Sequence, residues 1–352
     1  MLFSSLFIQH GKRMYFDKEK VIKSVHSFSY SKKDAELDIA FGTDEKFVYG
    51  CAIAIASILL KNPDYCLSFH VFTDKLSDGD KARFQEMAEQ YNTTINIYIV
   101  DCSWLKTLPE TKLWSYAIYF RFIIADYFYQ ILDRVLYLDA DIICNGSLQE
   151  LIKLDINSHI AAAVLDGDSN WWGDRAQRLQ RPELNDGYFN SGVLLIGINN
   201  WHQAAVTENS MRFLIDPEMK QVITHPDQDV LNILLAGNFY KLDNKYNTQF
   251  SINYELKYSN GESAPTPIST ETVFIHYIGP TKPWHKWAAN YTCTKYFLNA
   301  KDNSPWKNEP LLEAVTASNM RYCAKHQFHN RKYIKGVKSY AKYFFIKAFF
   351  GK

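Results

Sequence analysis

Two aspartates separated by one alanine end a short apolar run near the middle of the chain, in the stretch YLDADIICNG at residues 137–146. Asp139 and Asp141 have the same parity on an extended backbone, so their side chains point to the same side of a strand and could bind one ligand together. Carboxylates at strand ends also commonly face water, so the pair alone is a weak signal. Its meaning depends on the elements that surround it.

Those elements alternate between strand and helix patterns. The periodicity predicts strands at residues 37–45, 67–74, 95–101 and 158–168 and within 187–201 and 271–285, with helices at 47–62, 77–91 and 225–237. Alternation of this kind predicts an α/β fold with a mixed, largely parallel sheet. Ligands of such sheets bind at the carboxyl ends of the strands, where Asp44, Asp74, Asp101 and Asp139 are expected.

The composition limits the class of protein. The chain has 352 residues, of which 47% are hydrophobic, so it can form a large core in one domain with appendages or in two domains. The formal net charge of +1 gives no general reason to expect nucleic acid as a partner. The six cysteines include no CxxC pair, which fits a reducing cytosol better than a disulfide framework. No apolar stretch approaches the roughly 20 residues of a spanning helix, so we expect no transmembrane segment.

The chain resembles glycosyltransferase family 8 in five segments that occur in the family's order and spacing, DIAFGTDEKF, RVLYLDADIICNGSL, GYFNSGVLLI, HPDQDVLN and HYIGPTKPWH. The resemblance extends over residues 37–310. Within the family it is strongest to the hexosyltransferases of the lipopolysaccharide outer core, of the 1,3-galactosyl or 1,3-glucosyl type. It implies a GT-A (Rossmann-like) nucleotide-sugar fold and a UDP-hexose donor. It also implies Mn²⁺, or Mg²⁺ in its place, as the cofactor, and retention of the anomeric configuration.

The same resemblance implies the roles of individual residues. The metal ligands would be Asp139, Asp141 and His276. The nucleotide-binding residues would be Gly42, Asp44, Phe47, Gly279 and Lys282. The donor-sugar residues would be Arg121, Asp166, Asn190, Asp227 and Gln228, of which Gln228 and Asp227 are the catalytic candidates. A cation held by two carboxylates and an imidazole would neutralise the charge that develops on a departing diphosphate.

Glutamine is a feeble nucleophile, so we expect no covalent intermediate on Gln228. Attack on the same face of an oxocarbenium-like centre needs only electrostatic support from this residue. The leaving phosphate would help to remove the acceptor proton, and Asp227 would orient the sugar.

The C-terminal segment differs from the rest of the chain in charge, since no acidic residue occurs from residue 314 to 352. Helical spacing places Arg331, Lys335, Lys338 and Lys342 on one face and places Tyr333, Val337, Tyr340, Phe344 and Ala348 opposite. This is a basic amphipathic helix. It could pack on the core as a surface helix, but the missing acids and the apolar end favour an anionic membrane surface over both this and a nucleic-acid partner.

Three segments are therefore expected: an N-terminal lead-in at 1–36, a GT-A catalytic domain at 37–290, and a helical, membrane-associating segment at 291–352. The leading hypothesis is a metal-dependent transferase that moves galactose or glucose from a UDP-sugar, in α linkage with α-1,3 favoured, onto the lipopolysaccharide core. It would be cytoplasmic and peripheral on the inner membrane of a bacterium. A family 8 transferase with another glycan or protein acceptor, and a catalytically idle nucleotide-sugar-binding scaffold, remain as alternatives.

Overall fold

The computed structural model describes residues 15–106, 108–109, 115–258 and 264–349. The strands are β1 (Ile22–Ser29), β2 (Leu37–Thr43), β3 (Leu67–Thr73), β4 (Thr94–Val100), β5 (Arg134–Asp139), β6 (Ile142–Cys144), β7 (Ala161–Leu165), β8 (Phe189–Gly197), β9 (Phe239–Leu242), β10 (Thr248–Gln249) and β11 (Phe274–His276). The helices are α1 (Lys18–Val21), α2 (Val48–Lys61), α3 (Asp78–Gln90), α4 (Phe120–Tyr127), α5 (Gln149–Lys153), α6 (Ser169–Leu179), α7 (Ile198–Gln203), α8 (Val206–Ile215), α9 (Met219–Val222), α10 (Pro226–Leu235), α11 (Lys295–Asp302), α12 (Ala317–His329) and α13 (Tyr333–Phe349).

The main sheet has eight strands in the order β1-β4-β3-β2-β5-β8-β7-β9. Strands β4, β3, β2 and β5 are parallel neighbours, as are β7 and β9. Strand β8 runs antiparallel between β5 and β7, and β1 runs antiparallel to β4 at the edge. This arrangement confirms the predicted α/β fold with a mixed, largely parallel sheet.

A small second sheet, in the order β10-β11-β6, lies next to the carboxyl end of β5. Strand β6 begins three residues after Asp139, and β11 pairs with β6 in antiparallel register so that His276 lies opposite Ile142. The small sheet therefore carries the histidine to the end of β5.

Helices cover both faces of the main sheet. On one face α2 lies between the sheet and α11, and its sequence is apolar on all sides because it is buried on all sides. On the other face α4, α8 and α10 pack in a second apolar cluster with Trp201 and Phe189. The two clusters hold the strands whose ends carry the polar residues.

The predicted lead-in contains structure that the sequence analysis did not anticipate. Within residues 15–36, β1 joins the sheet as an edge strand. Its pattern is ambiguous because Val25 is exposed while Phe28, of the opposite parity, is partly buried. The rest of the predicted lead-in, residues 1–14, lies outside the described residues, as does part of the loop at 261–270.

The C-terminal segment is helical, as predicted. Helices α12 and α13 pack side by side where Gly336 meets the ring of Phe328, and a Cβ on that glycine would lie 2.8 Å from the ring. Phe297 and Trp306, earlier in the segment, belong to the main core, so the boundary at residue 290 stays a prediction. Among the helices that the structure describes, none combines the length and apolar character of a membrane span.

Candidate donor-sugar and metal site

Asp139, Asp141 and His276 converge where β5, β6 and β11 meet. Asp139 is the last residue of β5 and lies opposite Gly42 of β2, while Asp141 immediately precedes β6. One ligand atom from each of the three side chains lies within 4.8 Å of the others. The Nε2 atom of His276 is 3.2 Å from Asp141 Oδ1 and 3.9 Å from Asp139 Oδ2. The predicted metal ligands are thus brought together.

A hydrogen bond fixes the orientation of the imidazole. The Nδ1 atom of His276 lies 2.9 Å from Asn247 Oδ1, and Asn247 Nδ2 donates to Asn190 Oδ1 at 2.8 Å. Since Asn247 presents its oxygen, Nδ1 donates to it and Nε2 faces the two carboxylates. This is the arrangement in which an outer partner orients a histidine ligand. Burial lowers the pKa of His276, but the two carboxylates outweigh burial and raise it above its usual value.

Gly192 of β8 leaves the space that this convergence needs. A Cβ at this position would lie 2.5 Å from His276 Cε1 and 2.9 Å from Asp139 Oδ2. The absence of a side chain at this position therefore admits two of the protein's own side chains.

Asp141 is held as a carboxylate despite its burial. Burial alone would raise its pKa, but the Lys282 ammonium at 2.6 Å and the imidazole of His276 together hold the pKa well below its usual range. Its buried Oδ1 atom makes no well-aligned hydrogen bond with any described residue, although it lies 3.2 Å from Nε2 of His276. An ionised oxygen this close to a histidine nitrogen fits a divalent cation, which would replace the proton on Nε2.

Arg121 connects the metal-ligand cluster to α10. Its guanidinium is fully buried and lies 3.0 Å from Asp139 Oδ1 and 3.1 Å from Asp227 Oδ2. It also donates to the carbonyl of Ser191 and to the hydroxyl of Tyr137. An arginine in an apolar helix needs an anionic partner or access to water, and the partners here are two carboxylates of the site itself.

Asp227 and Gln228 enter the site from the first turn of α10, which Pro226 begins. Gln228 Oε1 accepts hydrogen bonds from Asn190 Nδ2 at 3.2 Å and from the backbone N–H of Ser191 at 3.0 Å. Its Nε2 group donates to Asp166 Oδ2 at 3.1 Å. Hydrogen bonds therefore link Gln228 to Asn190 and Asp166, and Asp227 is paired with Arg121.

Burial raises the pKa of Asp227, and Arg121 only partly offsets this effect. The hydroxyl of Ser191 donates to Asp227 Oδ2 at 3.0 Å. The side chain is thus fixed on two sides, which suits an orienting role better than that of a mobile proton carrier.

The predicted nucleotide-binding residues surround the cluster less tightly. Gly42 lies against α4, and a Cβ there would be 2.9 Å from Phe120 Cβ. The carboxylate of Asp44 accepts from the backbone N–H of Phe47 at 3.1 Å before α2, and no contact joins it to the metal-ligand cluster. The ring of Phe47 meets Trp284 edge-on at 5.5 Å, which links this turn to the loop that carries Lys282.

Several site residues were missed by the sequence analysis. Asn247 orients the histidine, and Gln249 Nε2 donates to Asp166 Oδ1 at 2.9 Å. Both come from the stretch KYNTQF, where Asn247 ends a 3-10 turn and Gln249 lies in β10, so no alternation along a strand pointed to them. Trp284 and Ser191 lie within quoted motifs but had no role assigned.

The fold and the cluster together define a class of protein, the GT-A transferases that use nucleotide sugars. The sequence matches the glycosyl transferase family 8 model over residues 38–288 and the family 8 C-terminal model over residues 291–347. The chain therefore belongs to glycosyl transferase family 8.

Two relatives align over nearly their whole length. The chain is 50% identical to lipopolysaccharide 1,3-galactosyltransferase of Salmonella typhimurium over 335 residues, which cover 94% of this chain and 98% of the relative. It is 45% identical to lipopolysaccharide glucosyltransferase WaaO of Escherichia coli over 339 residues, which cover 96% and 99%. The solved structure of galactosyltransferase LgtC with donor and acceptor sugar analogues superposes with a TM-score of 0.64 at 24% identity, covering 76% of this chain and 96% of LgtC.

Proposed function

We propose that this protein is a retaining hexosyltransferase that moves galactose or glucose from a UDP-sugar onto the outer core of lipopolysaccharide, in α linkage and with a 1,3 position favoured. The observation that carries the proposal is the convergence of Asp139, Asp141 and His276 beside the Asp227–Gln228 pair. The names of the two nearly full-length relatives support the acceptor class.

Asp139, Asp141 and His276 would hold Mn²⁺, or Mg²⁺ in its place. A divalent cation bound there supplies Lewis-acid stabilisation of the charge on the leaving diphosphate. Two carboxylate ligands and one imidazole suit either cation, and the imidazole favours Mn²⁺ over Mg²⁺.

Lys282 supplies a second positive group. Its ammonium lies within 2.6 Å of both Asp141 Oδ2 and the carbonyl of Tyr277, and only 8% of the residue is exposed. A buried ammonium next to a departing diphosphate stabilises the charge that develops there, because little water screens it. Gly42, Asp44 and Phe47 would bind the uridine, and Gly279 would lie in the loop against the diphosphate.

The hydrogen bonds of Gln228 support same-face attack rather than a covalent intermediate. Its Oε1 atom already accepts from Asn190 Nδ2 and from the backbone N–H of Ser191, so its lone pairs are engaged. An amide oxygen held in this way is a poor nucleophile but provides a fixed dipole near an oxocarbenium-like centre. Asp227 and Asp166 would hold the hexose hydroxyls, and the leaving phosphate would accept the acceptor proton.

Helix α13 supports binding to an anionic membrane surface. One face packs on α12 through Gly336 and Ser339, and Tyr340 turns toward Phe328 rather than joining the exposed apolar face that the sequence pattern suggested. A second face exposes apolar side chains: Tyr333, Ile334, Val337, Phe344, Phe345 and Phe349. A third face exposes the basic side chains of Lys335, Lys338 and Lys342, whereas Arg331, which was predicted on the same face, lies in the turn before α13 with φ +57°.

Adjacent apolar and basic faces suit an interfacial helix in a leaflet that contains anionic lipid. The protein would thus work as a peripheral protein on the cytoplasmic face of the bacterial inner membrane, where a lipid-linked acceptor is held.

The activity is tested by measuring UDP release from a panel of UDP-sugars, with and without Mn²⁺ and with and without a truncated lipopolysaccharide core. We expect release only with the cation, fastest with UDP-galactose or UDP-glucose plus acceptor, and an α-linked product by NMR. Asp141→Asn should abolish release, whereas the exposed Asp64→Asn should not. No UDP release from any sugar nucleotide would show that the proposed function is wrong.

The membrane proposal is tested by sedimentation with vesicles that contain phosphatidylglycerol. Replacing Phe344, Phe345 and Phe349 with serine should move the protein to the supernatant. A matched double variant at two exposed apolar residues outside α13, Ile131→Ser with Ile215→Ser, should remain bound. Equal binding of both variants would contradict the assignment of the surface to α13.

A further inference from the structure

The loop that presents Lys282 is supported by a buried polar network on the side away from Asp141. We call residues 277–283 the phosphate loop, following the proposed function on which this inference rests. Gly279 has φ +82°, and a Cβ there would lie 2.9 Å from Ser251 Oγ. Thr281 is completely buried, and Lys282 is 8% exposed. The loop is therefore fixed between the segment that carries Ser251 and the segment that carries Asp141.

Asn253 lies at the centre of that network. Thr281 Oγ1 donates to Asn253 Oδ1 at 2.7 Å. The Nε2 atom of His326, from α12, lies 2.9 Å from the same oxygen and 3.3 Å from Thr281 Oγ1. One imidazole from the C-terminal helix thus contacts both the loop residue adjacent to Lys282 and the amide that holds it.

The partners of His326 determine which of its nitrogens carries the proton. An amide oxygen can only accept, so Nε2 must donate to Asn253 Oδ1. The Nδ1 atom must then accept, and the hydroxyl of Tyr291 lies 2.7 Å away to donate. The ring is completely buried, and burial, with smaller contributions from His329 and Lys325, lowers its pKa to about 3. His326 is therefore neutral, with the proton on Nε2.

We propose that His326 is a positioning residue for the donor diphosphate, which acts through Asn253 and Thr281 to hold Lys282 where the phosphates bind. It touches neither the metal ligands nor the predicted sugar pocket. His326 affects the affinity for the donor through the backbone of the phosphate loop, which presents the ammonium of Lys282. A residue of the C-terminal region thus contributes to the nucleotide site formed by the catalytic region.

Substitutions of His326 should differ in how well they preserve the hydrogen bonds to Asn253. Glutamine places an amide N–H near the position of Nε2 and can still donate to Asn253, so His326→Gln should preserve the network. Leucine fills the space but leaves the oxygen of Asn253 with one donor fewer, a costly loss in a buried site. Thr281→Val removes the other donor while conserving shape, and it provides a second test if His326→Leu folds poorly.

The experiment measures UDP binding to the full-length protein by titration calorimetry in the presence of Mn²⁺. We expect His326→Leu and Thr281→Val to weaken UDP binding about tenfold, because a displaced ammonium loses one charge-assisted contact with the diphosphate. His326→Gln should stay within about threefold of wild type, because it keeps one donor of the network. Ser318→Ala, at an exposed position of α12, should bind UDP like wild type.

A double-mutant cycle with Lys282→Met separates positioning from general destabilisation. If His326 acts through Lys282, His326→Leu has no further effect on UDP affinity once the ammonium is absent. Additive losses, or wild-type UDP affinity in both His326→Leu and Thr281→Val, would overturn the inference while leaving the proposed function intact. Failure of the wild-type protein to bind UDP with Mn²⁺ would overturn both.

Discussion

Replacing Gly192 with alanine should damage the cation site without unfolding the protein. The new Cβ would lie 2.5 Å from His276 Cε1, whereas ordinary contacts begin near 3.4 Å, so the ring must move by about 0.9 Å. Functional groups need to be held to about 0.5 Å of their working geometry. A displaced ligand typically weakens metal binding on the order of 10–100-fold, which corresponds to about 1.4–2.8 kcal/mol.

The assay is a Mn²⁺ titration of chelator-treated protein, monitored by electron paramagnetic resonance of the free ion, together with the Mn²⁺ dependence of UDP release. Gly79→Ala is the matched control, because the nearest atom to its Cβ, Ser77 Oγ, is 3.8 Å away. Thermal melts of both variants check that the fold persists. Wild-type Mn²⁺ affinity in a folded Gly192→Ala protein would refute the argument that the glycine makes room for the ligands.

Three further variants probe the groups around the site and the core. Asn247→Leu removes the acceptor for Nδ1 of His276 and should weaken Mn²⁺ binding about tenfold or more in the same titration. Arg121→Met leaves the buried carboxylate of Asp227 and the half-buried carboxylate of Asp139 without their cation and should lower the free energy of unfolding by about 3 kcal/mol, measured with urea. Burial raises the pKa of Asp126 to about 6, so the folded state binds its proton more tightly than the unfolded chain does. Ionisation above that pH costs stability, so Asp126→Asn should gain on the order of 2 kcal/mol over wild type at pH 8 and nothing at pH 4, whereas exposed Asp34→Asn should gain at neither.

The pattern of apolar runs was sufficient to predict most strands of the main sheet and helices α2, α3, α10 and α13, where each run is long and is bounded by clear turn residues. The pattern did not predict the remaining described helices, among them α6, α8 and α11. It could not reveal the direction of β8. That strand is buried along its whole length, and a continuously apolar strand reads the same whether its neighbours are parallel or antiparallel. Strand β1 was missed because apolar residues occur on both of its faces. Val25 is exposed and Phe28, of the opposite parity, is partly buried, so apolar and polar residues do not alternate along the strand.

Within the site, the residues that carry charge could be predicted and those that hold them in place could not. Asp139 and His276 occur in recognisable motifs, and their convergence follows from the ends of two strands. Asn247 lies in a short irregular segment before β10, where no periodicity points to a partner. The role of Gly192 depends on side chains that are distant in sequence, so only the folded structure reveals the lack of space around it.

The antiparallel course of β8 also affects how the protein can diverge. Because β8 returns against β7, both ends of the connecting segment at residues 166–188 lie at the same edge of the sheet, next to Asp166 and Asn190. The segment, with α6 and its half-buried Trp171 and Trp172, is also joined to α10 by the ion pair of Arg178 with Asp229 and by the hydrogen bond that Tyr188 donates to Asp229. Insertions and substitutions there can reshape the mouth of the pocket while the metal ligands, which come from other strands, stay in place. Related enzymes that differ in acceptor should therefore vary most in this segment.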